Sequence, residues 1–169
     1  MPLAVATIIF VLAGCSIPTT GENPENQGIL FRDGQQLFEA VLPAGAKEHS
    51  FHGKDYDYYV YEWWEADQPI TRLEFRVLNS GFSGLMQPDY ESTFQKECGC
   101  VVNQKGWVLV AGQKAREFQF TVDDGKRVAI ERHFQWKDRM IQMQILAPIS
   151  RQDAMRLRFQ AILSTLKLL

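Results

Sequence analysis

Hydrophobic and polar positions alternate through most of the chain after residue 29, and in two stretches the apolar spacing lengthens to that of a helix. In R-L-E-F-R-V-L, Leu73, Phe75 and Val77 share one face while Arg72, Glu74 and Arg76 share the other, which predicts a half-buried strand. The pattern returns with Phe118, Phe120 and Val122 set against Glu117, Gln119 and Thr121. It returns again with Val128, Ile130, Phe134 and Trp136 on one side, where Arg132 falls near the edge of the apolar face. Ile141, Met143 and Ile145 then oppose Gln142 and Gln144. On this reading His133, grouped with Glu131 and Gln135, faces water. The continuous apolar run at residues 107–111, ending at Gly112, predicts a more buried strand.

Short turns separate these runs. Asp123, Asp124, Gly125 and Lys126 supply the Asp-Gly signal of a tight hairpin, and residues 136–139 are placed for another. Tyr90, Phe94 and Cys98 recur at fourfold spacing before Gly99, predicting a short helix with a glycine stop. Ser150 followed by Asp153 predicts a capping box, and Met155, Phe159, Ile162, Leu163 and Leu166 line one face of a long terminal helix. The fold class expected is α+β: an antiparallel sheet of about six to seven strands, wet on one face, with both helices packed on the other.

The first residues differ in kind. Residues 3–13 are apolar except Thr7, too short a run for the roughly 20 residues of a membrane-spanning helix but right for a signal-peptide core. Leu12-Ala13-Gly14-Cys15 resembles the bacterial lipobox. That resemblance implies removal of residues 1–14 and acylation of Cys15, with anchoring in a lipid bilayer. Ser16, in place of the Asp that favours inner-membrane retention, implies the periplasmic face of the outer membrane, the inner membrane being the alternative. Residues 15–28 carry Pro, Gly, Asn and Glu at a density that reads as a solvated tether, and residues 29–169 as a single domain.

Charge narrows the partners. With 18 basic and 20 acidic residues interspersed, the formal net charge is −2, so no electrostatic footprint for nucleic acid is expected. The partner expected besides the bilayer is a protein of the cell envelope.

Within the domain, G-Q-K-A-R-E-F-Q-F-T, then E-R-H-F-Q-W-K-D-R-M-I-Q-M-Q-I-L and the closing helix resemble the PsbP/Mog1-type fold over residues 37–169. An NTF2/cystatin-like α+β layer is the alternative. V-L-P-A-G-A at residues 41–46 stands where photosynthetic members carry a Pro-Asn-Gly-Trp-like stretch, so no photosystem role is implied.

Few residues suggest chemistry. With Cys15 acylated, Cys98 and Cys100 are the remaining thiols, and their spacing allows a small, strained disulfide, two unreactive thiols, or a redox or metal site. His49 and His52 have H-x-x-H spacing but no companion ligands for zinc. G-F-S-G-L at residues 81–85 lacks the last glycine of a nucleophile elbow, and no phosphate-binding glycine pattern is present. No cofactor, metal or catalytic residue is expected. The aromatic run D-Y-D-Y-Y-V-Y-E-W-W-E makes both faces of one strand aromatic, leaving Tyr59, Tyr61 and Trp63 either as core or as a partner-binding surface. The functional expectation is a non-enzymatic binding or envelope-assembly module; the alternative is a thiol-redox or other periplasmic enzyme using Cys98 and Cys100.

Overall fold

The computed structural model describes residues 28–66, 68–78 and 89–169. Cys15 with its leader and most of the tether, and the G-F-S-G-L segment, lie outside the described residues. In chain order the described elements are β1 Ile29–Arg32, β2 Phe38–Leu42, β3 Lys47–His52, β4 Tyr56–Glu65, β5 Gln68–Leu78, α1 Tyr90–Cys98, β6 Val101–Val110, β7 Gln113–Val122, β8 Arg127–Trp136, β9 Arg139–Pro148, α2 Gln152–Thr165 and β10 Lys167–Leu168. Among them no helix is long and apolar enough to cross a membrane.

Seven strands form one sheet in the order β3-β4-β5-β9-β8-β7-β6, every neighbouring pair antiparallel. The β6–β7 hairpin closes on Ala111 and Gly112, both at positive φ (47° and 82°), the conformation whose twist suits a two-residue hairpin. A smaller sheet, β1-β2-β10, was not foreseen. The helix predicted from Ser150 begins instead after a 3-10 turn at Ile149–Arg151 without a side-chain cap, so the Ser150–Asp153 capping box does not form. The helix stops at Thr165, and β10 then pairs with β2; a short strand replaces the expected last turn.

The main core fills the space between the large sheet and a layer made of α2 and the small sheet. Leu73, Phe75, Ile141, Met143 and Ile145 of the floor are fully buried, as are Phe38, Leu42 and Ile162 of the cover. Phe31 of β1 stacks on Phe75 of β5 with ring centroids 4.9 Å apart. At the turn after β1, the buried Asp33 carboxylate accepts hydrogen bonds from the backbone N–H groups of Gln35, Leu37 and Phe38 at 2.6–2.9 Å. These three bonds satisfy backbone donors that the turn leaves without a ladder partner.

The expectation of one wet face is corrected. Phe118 and Phe120 point away from the main core, and with Ala129 and Met140 they form a second core beneath α1. Phe94 of α1 stacks on Phe118 at 4.3 Å. The alternation along each strand was read correctly, but α1 lies on the opposite side of the sheet from α2. His133, expected in water, is therefore fully buried.

The run at residues 107–111 is also corrected. Residues 107–110 belong to β6, an edge strand, where Trp107 and Leu109 are exposed, and Ala111 opens the turn that follows. Lys114 and Arg116 of β7 lie over the Trp107 ring at 4.3 and 4.6 Å, placing charge beside an otherwise apolar sheet edge.

Candidate functional site

Strand register assembles the site. On the face that carries α1, Tyr58, Arg76, Gln142, His133 and Arg116 form one cross-strand row over β4, β5, β9, β8 and β7. The next row, two residues along, holds Glu74, Gln144, Glu131 and Phe118. A row of donors thus runs beside a row of acids, because the E-F-R, E-R-H and Q-M-Q triplets each put two polar side chains on one face.

The acids are internally neutralised. Buried Glu74 meets Arg72 at 2.6 Å through one oxygen and Arg76 at 3.2 Å through the other. Buried Glu131 accepts from His133 Nε2 at 2.5 Å through Oε1 and from Gln144 Nε2 at 2.8 Å through Oε2. An ionised carboxylate is an acceptor only, so the Nε2 proton of His133 points at Glu131, and Nδ1, on the other side of the ring, meets the Tyr90 hydroxyl. Tyr90 opens α1. The Tyr90–His133–Glu131 chain therefore fastens the first turn of the helix to the floor of the sheet.

The order hydroxyl, imidazole, carboxylate is also that of a nucleophile with its base and orienting acid. The electrostatics oppose that use. Burial, reinforced by the Glu131 charge, pushes the Tyr90 hydroxyl above its ordinary range, so it remains a proton donor. For Glu131, burial alone would raise the carboxyl, but neighbouring His133, the hydrogen bonds and the Arg76 charge together hold it below the usual range. The chain is a charged, hydrogen-bonded clamp.

Beside it opens a cleft of about 600 Å³, within the roughly 300–1,000 Å³ of small-molecule sites. Arg76, Gln142 and Gln144 lie on its floor, Thr93, Phe94 and Glu97 on its α1 wall, and Phe120 and Val122 at one end. Arg76 rests over the Tyr58 ring at 5.0 Å. Sequence reading missed this set; the signal was present in the three i, i+2 polar pairs, but only the register shows that they are neighbours.

Cys98 also lines the cleft. It is joined to Cys100 in a disulfide with the Cα atoms 5.1 Å apart, and Gly99 between them takes φ 58° while its N–H bonds to the Gln95 carbonyl. His49 and His52 sit on exposed β3, each beside a carboxylate, Glu62 at 3.8 Å and Asp57 at 3.1 Å respectively. Among the described residues no group of three or more His, Cys, Asp or Glu side chains is arranged to hold a metal ion.

Tyr59, Tyr61 and Trp63, the aromatic set considered for partner binding, are buried in the main core at 4–5% exposure. The Tyr59 hydroxyl accepts the Gly34 N–H at 2.7 Å, and Trp63 Nε1 donates to the Ala44 carbonyl at 3.1 Å. Arg158 of α2 covers the Trp63 ring at 4.8 Å. The small sheet and α2 together cover these three side chains, which corrects the reading of them as a contact patch.

No family model and no curated protein matches the sequence. Among solved structures, the chain is similar to cyanobacterial PsbP (CyanoP) from Synechocystis sp. PCC 6803, with a TM-score of 0.65 at 13% identity over 91% of this chain and 98% of that one. A protein from Bacteroides thetaiotaomicron VPI-5482 gives a TM-score of 0.53 at 11% identity over 85% of this chain and 49% of that one. At such identities the likeness concerns architecture, and the fold of this chain is PsbP-like α+β.

Proposed function

We propose that the protein is a lipid-anchored accessory module of the cell envelope, non-enzymatic, that binds a partner or ligand in the cleft between α1 and the β5-β9-β8 floor. The observation that carries this reading is the cleft itself: an open cavity of about 600 Å³ with an apolar end and a polar floor, whose neighbouring acids already have internal partners. A site built this way binds more readily than it reacts. Anchoring rests on the lipobox resemblance at Cys15 and on the polar tether after it, which would hold the domain near a membrane without spanning it. The outer membrane's periplasmic face is the address that Ser16 favours.

A photo-crosslinking residue at Glu97, on the cleft wall, should capture a discrete product in intact cells of the native host. A probe at Leu157, exposed on α2, should not, and filling the cleft with Thr93→Trp should abolish the Glu97 product. Equal capture from both positions would remove the cleft from the proposal. Mass spectrometry of the native protein should find a diacylated Cys15 as the first residue; an uncleaved, unmodified start would remove the anchor.

A second reading, thiol–disulfide exchange, draws on the position of Cys98 in the cleft wall. Its place at a helix C-terminus works against the thiolate. Replacing Cys98 and Cys100 with Ser separates the two readings: partner capture persists under the first and is lost under the second.

A further inference from the structure

We infer that the cleft recognises a small amphipathic carboxylate, its acid group held by Arg76 and Gln142 and its apolar body lying along Phe94 and Phe120. The inference rests on the cleft reading above and adds the chemistry of the ligand.

Hydrogen-bonding capacity decides the sign of the ligand. Both oxygens of Glu74 and both of Glu131 are taken by Arg72, Arg76, His133 and Gln144, so a cationic guest would have to break internal pairs to find an acceptor on the floor. The donors are not matched in the same way. The Arg76 guanidinium has five N–H groups, of which the bonds to Glu74 and to the Tyr58 hydroxyl use two. Its contact with Tyr58 lies on the β4 side, away from the cleft. On the next strand, in the same row, the Gln142 amide gives one N–H to the Tyr90 hydroxyl, and its nitrogen lies 3.9 Å from the Met140 thioether, a weak acceptor that leaves the second N–H available. A carboxylate set between Arg76 and Gln142 would take donors from both, and Arg presents them in the fork geometry that suits it.

Register fixes the length. Arg76 and Gln142 share the row of His133, while Phe120 shares the row of Ala129, four residues further along β8. At about 3.3 Å per residue that separates the donors from the aromatic end by roughly 13 Å. Phe94 bridges the two, its ring 5.5 Å from those of both His133 and Phe120, and Val122 closes the far end. The remaining carboxylate, Glu97, stands on the α1 wall and would repel an acid group placed there. The ligand therefore has one orientation, head to the floor and apolar body toward Phe120.

The test uses three isosteric probes with the full-length chain in lipid nanodiscs: 4-phenylbutyrate, 4-phenylbutyramide and 4-phenylbutylammonium, with affinities from ligand-observed NMR. The carboxylate should bind at least tenfold tighter than the amide, and the ammonium more weakly than either. Arg76→Gln should erase the difference between acid and amide, Arg76→Lys should keep part of it, and Thr93→Trp should weaken all three. Thermal melts confirm folding, for which Glu74 retains Arg72 as partner. Equal binding of acid and amide, preference for the ammonium, or an unchanged preference in Arg76→Gln would overturn the carboxylate assignment. If those results come with losses in Thr93→Trp, or with the Glu97 crosslink still blocked by it, the binding cleft survives and only its ligand class is wrong. If no probe binds and the Glu97 crosslink is also absent, both fall.

Discussion

Glu131 and His133, two residues apart on β8, meet at 2.5 Å with the histidine wholly removed from solvent. The pair is the centre of the polar layer between α1 and the sheet, and it ties pH to stability. The Glu131 carboxyl is held below its ordinary range, as the balance of burial against His133, Gln144 and Arg76 requires. A folded value below the unfolded one gives stability that is present above the usual glutamate range and is lost as the pH falls through the lowered value. Urea-unfolding midpoints are therefore expected to decline below about pH 4, and Glu131→Gln should show a shallower acid decline than the parent chain. Identical acid slopes would mean that this pair does not set the limit.

Tyr90→Phe removes the hydroxyl that meets His133 Nδ1 while keeping the ring beside Phe118. An unsatisfied buried nitrogen costs about 1–3 kcal/mol. The loss should show in chemical denaturation, together with faster amide exchange confined to α1. Unchanged exchange in the helix would show that the clamp does not fasten it.

Tyr59→Ala and Trp63→Ala should each destabilise the fold by about 3–5 kcal/mol, as expected for large aromatic side chains truncated in a core. Leu157→Ala, on the exposed side of α2, should stay within about 0.5 kcal/mol. Melting curves decide between core and surface for the two aromatics; a folded Tyr59→Ala, Trp63→Ala double variant of near-parent stability would restore them as a contact surface.

Asp33→Ala deprives three backbone N–H groups of their acceptor. A loss of at least about 2 kcal/mol is expected, with Asp33→Asn intermediate because one amide oxygen can serve only part of the set. Denaturation of the two variants side by side gives the ranking, and an Asn variant as poor as Ala would point to charge over geometry.

The Cys98–Cys100 bridge closes a very short loop, for which chain entropy allows no more than about 2 kcal/mol. The double serine variant should remain folded with a modest shift in its denaturation midpoint. A thiol count on the denatured, unreduced parent should find neither cysteine free, and two reactive thiols would refute the bridge.

Local patterning carried most of the element list. Alternation placed Leu73, Phe75 and Val77 together, and Tyr90 and Gly99 marked the ends of α1 within a residue, because side-chain period and glycine conformation are properties of the chain itself. Other features depended on neighbours far away in sequence. Trp107 looked buried by composition but lies on an edge strand, since among the described residues nothing pairs beyond β6 in the sheet. The small sheet could not be read because β10 is two residues long and gains its partner, β2, only once α2 has brought it back across the core.

The candidate site shows the same division. The sequence by itself determined that Arg76 lies with Glu74, His133 with Glu131 and Gln142 with Gln144, each pair on one side of its own strand, because alternate residues of a strand must share a face. Which strands stand next to each other, and which face each helix covers, is a matter of long-range packing. Only the tertiary structure decided that β9 inserts between β5 and β8, bringing the three pairs into adjoining rows, and that α1 shelters a histidine that local alternation would leave in water.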